Sequence, residues 1–369
     1  MPNDSASAGS GPSPSPSPSP VPVASVVIPC RGHAKEVARC LRSIERQRVD
    51  FPFETIVVDS ASDPAVEEVV REAAAVRLVR SEIPLQPGPA RTLGVSHARG
   101  MYLVFIDADC QAEPDWLAAA VGVLRDGLGD GPRAAPGGGR RAGQSAHQKD
   151  RVHMVGGPVL DARPRHPVAV TDNLLQFSDF RPGRRDGSAR YFPACNMAVL
   201  RSSFAQVGGF PDPEFGAGED TGLCNRFLER WPDGLRFVQG MRVMHDGRAA
   251  FREMLSHQAG FGYARGRLRL HLTPRQQRLG SLAPLLPAVA MKRLVYLLKR
   301  NVRWDPLRTP RFVLLLPLIV PGLLAWAGGF RRGCREAIRE ADGEAVGGAG
   351  RAAIREAPGS GPSNTPGRR

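Results

Sequence analysis

The sequence predicts an α/β fold, a domain over residues 23–270 whose N-terminal half is a sheet of right-handed parallel βαβ units, and three observations carry that prediction. Apolar, β-branched runs of strand length recur along the N-terminal third. Segments with helical apolar spacing separate them, the alternation that builds parallel sheets. Two of the runs stop on carboxylates, and in open α/β sheets ligands gather at the carboxyl ends of the strands.

Val23-Ala24-Ser25-Val26-Val27-Ile28-Pro29 is a mostly apolar run closed by proline, the pattern of a central parallel strand. A helix follows from about Ala34 to Gln47, with Val37, Leu41 and Ile44 at core spacing. The second strand, Glu54-Thr55-Ile56-Val57-Val58-Asp59-Ser60, ends on an acid. Ser62-Asp63-Pro64 then opens a helix, with proline suited to its first turn. Val76-Arg77-Leu78-Val79 is a short third strand, and Pro87 to Gly100 reads as a loop, a helix and a glycine stop. The fourth strand, Met101 to Ile106, halts at Asp107-Ala108-Asp109. Side chains alternate on extended backbone, so both carboxylates point the same way and could share one hard cation such as Mg²⁺ or Mn²⁺. A strand-end acid followed by a helix cap would give the same letters.

Pro114-Asp115-Trp116 begins another helix, after which residues 126–150, rich in Gly, Pro and Arg, predict a flexible insertion with little to bury. Order is expected again from Val152. Phe215 to Arg226 is a glycine-rich turn with Glu219 and Asp220 at the start of a helix, where both gain from its dipole. Beyond His245-Asp246 the character changes: His257 to Arg267 is basic and aromatic, and Phe312 to Phe330 is nearly all apolar between flanking arginines. That second stretch has about the length of a bilayer span, although Pro317 and Pro321 would kink it. Residues 271–335 are therefore expected to attach to a membrane, as a span or an interfacial helix. The Ser-Pro repeat within residues 1–22 and the Gly-, Ala- and charge-rich stretch within 336–369 predict disordered tails.

The 369 residues are 42% hydrophobic, enough for a sizeable core, and carry a formal net charge of +14. So strong a basic excess points to nucleic acid, an anionic membrane surface or a polyanionic substrate. The arginines are spread through loops and tails rather than along one helix and no nucleic-acid module is recognised, so nucleic acid is not the expected partner. Six cysteines without a C-x-x-C pair speak against a zinc site or a disulfide framework and fit a reducing compartment.

Taken in order, these pieces resemble the family 2 glycosyltransferases, whose GT-A fold is a Rossmann-like architecture for nucleotide-diphospho-sugars. The matching elements are Ser25 to Pro29, Val57-Val58-Asp59-Ser60, Pro87 to Gly94 with its Ala90-Arg91 pair, Asp107-Ala108-Asp109, Cys195-Asn196-Met197-Ala198 and Gly218-Glu219-Asp220. The segment Gln258 to Arg267 resembles the tail of bacterial members that build exopolysaccharides or glycolipids. The resemblance implies that Asp59 accepts hydrogen bonds from the nucleobase, usually uracil, in a pocket lined by Pro29 and Arg31. Arg91 would contact base or diphosphate, Asp107 the ribose and the metal region, and Asn196 the donor sugar or acceptor. Asp109 would hold the Mg²⁺ or Mn²⁺ that bridges the diphosphate, with His245 as a further metal or phosphate contact. Asp220 would be the general base of an inverting displacement, and Glu219 the neighbour that orients acceptor or loop. The donor implied is a UDP-sugar and the acceptor lipid-linked or glycan, at the cytoplasmic face of the cell membrane. Asn301-Val302-Arg303-Trp304 lacks the glutamine of the Gln-x-x-Arg-Trp signature of processive synthases, so one sugar per encounter is expected. Asp107, Asp109, Glu219 and Asp220 together speak against a non-catalytic member.

Overall fold

The four apolar runs of the N-terminal third pair as one parallel layer. The computed structural model describes residues 21–62, 64–73, 75–127, 151–211, 218–267 and 274–355, with the side chains at 274, 277 and 342–355 excepted. The expected tails at 1–20 and 356–369 and the expected insertion at 128–150 lie outside the described residues. β1 (Ala24–Cys30), α1 (Ala34–Glu45), β2 (Phe53–Ser60), α2 (Pro64–Glu72), β3 (Val76–Ser81), α3 (Pro87–His97) and β4 (Tyr102–Ile106) alternate as expected. The strands lie in the order β3-β2-β1-β4, with Cys30 beside Asp59 and Val27 beside Phe105. Val27, Val57 and Val104 are fully buried, which is why these strands read as continuous apolar runs. α3 lies close on this layer, because a Cβ at Gly94 would stand only 2.4 Å from Val27 Cγ1. One turn before that contact, Arg91 reaches Asp107 beyond the end of β4.

The chain continues through β5 (Cys110–Ala112), α4 (Trp116–Asp126), β6 (Met154–Gly156), β7 (Val159–Asp161), α5 (Pro167–Phe177), β8 (Gly187–Ser188), β9 (Asn196–Leu200), α6 (Arg201–Gln206), α7 (Glu219–Arg230), β10 (Leu235–Phe237) and β11 (Val243–His245). β9 runs antiparallel beside β4 and extends the sheet through β6, β10 and β8, so the eight-stranded sheet is mixed beyond its parallel N-terminal half. The second-half strands are short, and an antiparallel neighbour needs no helical crossover of fixed hand. β5, β11 and β7 form a separate three-stranded sheet whose register puts His245 between Cys110 and Asp161. This small sheet brings the end of the domain back to Asp109.

α8 (Phe251–Arg267), α9 (Pro274–Gly280), α10 (Leu286–Trp304), α11 (Thr309–Leu314) and α12 (Leu316–Arg355) close the described chain. Among the described residues no single helix is long and apolar enough to cross a membrane; the pair Pro306–Leu314 and Leu316–Ala341 reaches that length together but is bent by 80°. The break falls just before Pro317, which then occupies the first turn of α12, where proline is tolerated. Phe312, Leu315, Ile319, Leu323 and Ala327 bury one stripe against Leu174 and Leu175 of α5, Met254 of α8 and Leu297 of α10. Part of the apolar content that suggested a span is thus an ordinary core, while Val313, Leu314, Val320 and Leu324 on the other side are exposed. α8 and α12 touch backbone to backbone: a Cβ on Gly262 would lie 1.9 Å from Trp326 O, and one on Gly329 1.9 Å from Ala259 O. α12 also runs past the expected boundary at 335, since Tyr263 donates to Glu336 at 2.5 Å and Arg267 pairs with Glu340 at 2.8 Å.

Candidate active site

A cleft of about 1020 Å³ lies where the residues after β4, the start of α7, the end of β11 and the inner faces of α8 and α10 meet. Arg91, Asp107, Asp109, Glu219, Asp220 and His245, predicted from separate stretches of sequence, all line it. Pro29, Arg31, Asp59 and Asn196 do not.

Arg91 is the cleft's central cation and is only 3% exposed. Its two terminal nitrogens serve two carboxylates, Asp107 and, at 2.7 Å, Glu219. Burial alone would lower the guanidinium's pKa, but Asp107 and then Glu219 raise it instead. Gly218, at φ 102°, turns the chain into α7 so that Glu219 and Asp220 form the helix's first two residues.

Asp220 is held differently. Tyr191 Oη donates to its Oδ2 at 2.7 Å and the Thr221 amide to its Oδ1 at 2.6 Å. Burial, joined by the negative charge of Glu219, pushes its pKa up to about 6 despite those donors. A carboxylate poised there takes a proton near neutral pH more readily than an ordinary aspartate.

Asp107 and Asp109, one residue apart, are shifted in opposite directions. Burial and the neighbouring Asp109 charge raise Asp107 against the pull of Arg91. For Asp109 burial is outweighed by His245 and then Arg248, which lower it. His245 Nε2 stands 3.5 Å and Arg248 Nη1 3.3 Å from Asp109 Oδ2. Asp109, Cys110 and His245 could together hold a metal ion. Two neighbouring ligands of an octahedral ion with bonds of ~2.1 Å stand about 3 Å apart, close to the spacing of Asp109 and His245. The soft Cys110 sulfur matches a hard divalent ion poorly, whereas the Asp109 carboxylate and the His245 imidazole offer an oxygen and a nitrogen donor that an ion such as Mn²⁺ accepts.

Two residues of this arrangement escaped the sequence reading. Asn173 Oδ1 lies 2.7 Å from His245 Nδ1, and its amide donates to Asp161 Oδ1 at 3.2 Å and to the His245 carbonyl at 3.1 Å. The Gly247 amide also approaches Nδ1, at 3.1 Å, and together these contacts hold the ring with Nε2 toward Asp109. Beside it, Asp172 accepts from the Arg248 amide and from Gln258, both at 3.0 Å. The available signal was Thr171-Asp172-Asn173 set among Val168, Val170, Leu174 and Leu175, polar residues on the buried side of an apolar helix.

The predicted base pocket stands apart. Asp59 is completely buried at the carboxyl end of β2; its Oδ1 accepts from the Ser62 amide at 3.2 Å, while Oδ2 has no hydrogen-bond partner among the described residues. Pro29 is half-buried and Arg31 exposed at the end of the adjacent β1. Asn196 needs a correction. It is completely buried, accepting from Trp116 Nε1 at 2.9 Å and donating to Met241 O at 2.9 Å and Pro158 O at 3.0 Å. All its amide capacity is committed to joining α4, β9 and the loops around β7 and β11, so it meets neither donor nor acceptor.

Residues 25–208 match the family model described as Glycosyl transferase family 2. The chain is 27% identical over 247 residues to the pre-mycofactocin glycosyltransferase of Mycobacterium tuberculosis, covering 64% of this chain and 46% of that protein. It is 31% identical over 104 residues to the chondroitin synthase of Escherichia coli, covering 27% of this chain and 15% of that one. The chain thus spans less than half the length of these curated relatives. A solved mannosyltransferase, PcManGT from Pyrobaculum calidifontis in complex with GDP-Man and Mn²⁺, aligns at TM-score 0.49 and 18% identity over 86% of this chain and 89% of that one. Six motifs in order, a mixed α/β sheet with acids at its strand ends and the family match over 25–208 agree: the chain belongs to glycosyl transferase family 2 and has its GT-A fold.

Proposed function

We propose that the protein transfers a sugar from a nucleoside-diphosphate sugar, a UDP-sugar foremost, to a hydroxyl of a lipid-linked or glycan acceptor at a membrane surface. The observation that carries this reading is one cleft holding both a hard-donor pair, Asp109 and His245, and a carboxylate, Asp220, whose pKa is raised to about 6. As the acceptor oxygen bonds to the anomeric carbon, the bond from that carbon to the diphosphate breaks and its electron pair leaves with the nucleoside diphosphate. Asp220 takes the acceptor's proton, with Tyr191 fixing its orientation. A single displacement of this kind inverts the anomeric centre. A divalent ion held by Asp109 and His245 would offset charge on the departing diphosphate. Asp59 Oδ2, which accepts no hydrogen bond among the described residues and has Arg80 Nε 3.8 Å away, would be the acceptor for a nucleobase N–H, with Pro29 and Arg31 beside it and Asp107 toward the ribose. Arg91 reaches the diphosphate only by exchanging a protein carboxylate for a phosphate oxygen, since both its terminal nitrogens are already engaged.

Membrane contact belongs to the same reading. Leu307, Val313, Leu314 and Leu324 are exposed near the bend between α11 and α12, and Lys292, Lys299 and Arg303 are exposed on α10. Apolar side chains rimmed by cations suit an anionic leaflet. Six free cysteines suit its cytoplasmic side. The test is release of nucleoside diphosphate from UDP-, GDP- and dTDP-sugars in detergent, with Mn²⁺ or EDTA, by wild type and Asp109→Ala. Metal-dependent turnover of one donor, lost in the variant, is expected. A folded wild type that neither turns over nor binds any of these nucleotides in the presence of Mn²⁺ would overturn the reading.

A further inference from the structure

The cleft extends beyond the acids into a half that the transfer chemistry does not use. His257, Phe261 and Arg265 of α8 line it, and their spacing of four residues puts them on one helical face. His257 belongs to the acid end, because its Nδ1 lies 3.3 Å from Asp172, which in turn accepts from the Arg248 amide beside Asp109. Arg265 is two turns further on, about 12 Å along the axis at 1.5 Å per residue. Facing α8, Arg293 of α10 stacks over the Trp326 ring at 4.2 Å and donates one terminal nitrogen to Leu175 O at 2.9 Å; its Nε is buried with no partner. Arg190 also lines the cleft, next in sequence to the Tyr191 that grips Asp220.

These three guanidiniums lack counter-ions. Among the described residues none of them takes part in an ion pair, and the acid lining this half, Asp179, is already held by Arg300 at 2.9 Å and Tyr296 at 2.5 Å. Burial, then the nearby charge of Arg265, push the Arg293 pKa down to about 10 against the pull of Asp179, so the cation persists at neutral pH. Planar guanidiniums with free N–H groups match phosphate oxygens in geometry and charge. That length of α8 separates Arg265 from His257 and the acid end, where a donor diphosphate would lie.

We propose that this half of the cleft binds a phosphate group carried by the acceptor, held by Arg190, Arg265 and Arg293 with Phe261, Tyr296 and Trp326 as walls. This inference rests on the transferase reading in calling the ligand an acceptor; the anion site itself does not. The experiment titrates the full chain in detergent, with Mn²⁺ present, with four probes: UDP, farnesyl phosphate, farnesol and glucose 1-phosphate. Wild type, Arg265→Ala and Arg293→Lys are compared by calorimetry, with circular dichroism to check folding. Loss of charge-assisted hydrogen bonds should weaken phosphate binding roughly tenfold or more in Arg265→Ala, with UDP affinity unchanged. Farnesyl phosphate binding without glucose 1-phosphate binding identifies a lipid-linked phosphate; equal binding identifies a soluble one, and either result supports the proposal. Farnesol binding as tightly as farnesyl phosphate, or phosphate binding unaltered by Arg265→Ala, would overturn it. So would an equal loss of UDP and phosphate, which would put these arginines in the donor site. Arginine-dependent phosphate binding by a chain that binds no nucleotide would sink the transferase reading and leave the anion site standing.

Discussion

Asp220 lets activity and stability be pulled apart by pH. Its carboxylate must be ionised to accept a proton, so kcat/KM should fall as the pH drops through about 6. Stability moves the other way. A carboxyl whose folded pKa lies above its ordinary value is protonated first in the folded state, so burial of its charge costs stability above pH 6 and that cost is relieved below it. Wild type should therefore gain stability relative to Asp220→Asn as the pH falls from about 6 toward 4, measured as paired urea midpoints, while the variant loses on the order of 10² or more in kcat. Asn173 supplies a second residue-scale prediction. Asn173→Ala frees the His245 ring to rotate, and should weaken Mn²⁺ binding roughly 10–100-fold by calorimetry with the fold retained. Asn196→Ala separates scaffold from site: stripping partners from Trp116 Nε1 and two carbonyls should cost about 1–3 kcal/mol in denaturant titration and leave nucleotide affinity unchanged.

At the scale of elements, the contact of α8 with α12 has the least room for change. Gly262 and Gly266 on α8 meet Gly329 and Gly333 on α12, and a Cβ at any of the four would fall within 2.3 Å of the other helix's backbone. Gly329→Val should destabilise the C-terminal helices by roughly 1–3 kcal/mol or prevent their docking, read as a lowered thermal midpoint. The first half of the fold was legible because β1, β2 and β4 are buried on both faces and so spell continuous apolar runs, two of them ending at Asp59 and Asp107. The second half was not, since β6, β7, β10 and β11 have three residues each, too short for period or propensity to register. The same limit explains the site. Acids at strand ends and at a helix start were readable as Asp107, Asp109, Glu219 and Asp220, whereas Asn173 gains its role only when β11 brings His245 against α5. Phe312 to Phe330 left core and membrane contact undivided, because composition does not distinguish the stripe packed on α5 and α8 from the face left exposed.

For the whole molecule, the formal net charge of +14 and the exposed bend at α11 make membrane contact measurable. The chain should co-sediment with vesicles containing phosphatidylglycerol, less so as salt is raised, and Leu314→Glu should cut binding severalfold without altering nucleotide affinity. Equal sedimentation with neutral vesicles would count against the charge, and an unaffected Leu314→Glu against the bend. Arg91 bears on the molecule in another way. It joins Asp107 to Glu219, 128 residues away along the chain from the arginine, at the interior junction of the early and late halves. A partly folded chain with only its first four strands in place pairs that cation with Asp107 alone and leaves Nη1 without the acceptor that Glu219 supplies, a loss of roughly 1–3 kcal/mol where that nitrogen is buried. Such an intermediate is penalised until α7 arrives. Cooperativity and catalysis therefore converge on one guanidinium: docking the helix that carries Asp220 also completes the hydrogen bonding of the arginine buried beside the N-terminal sheet.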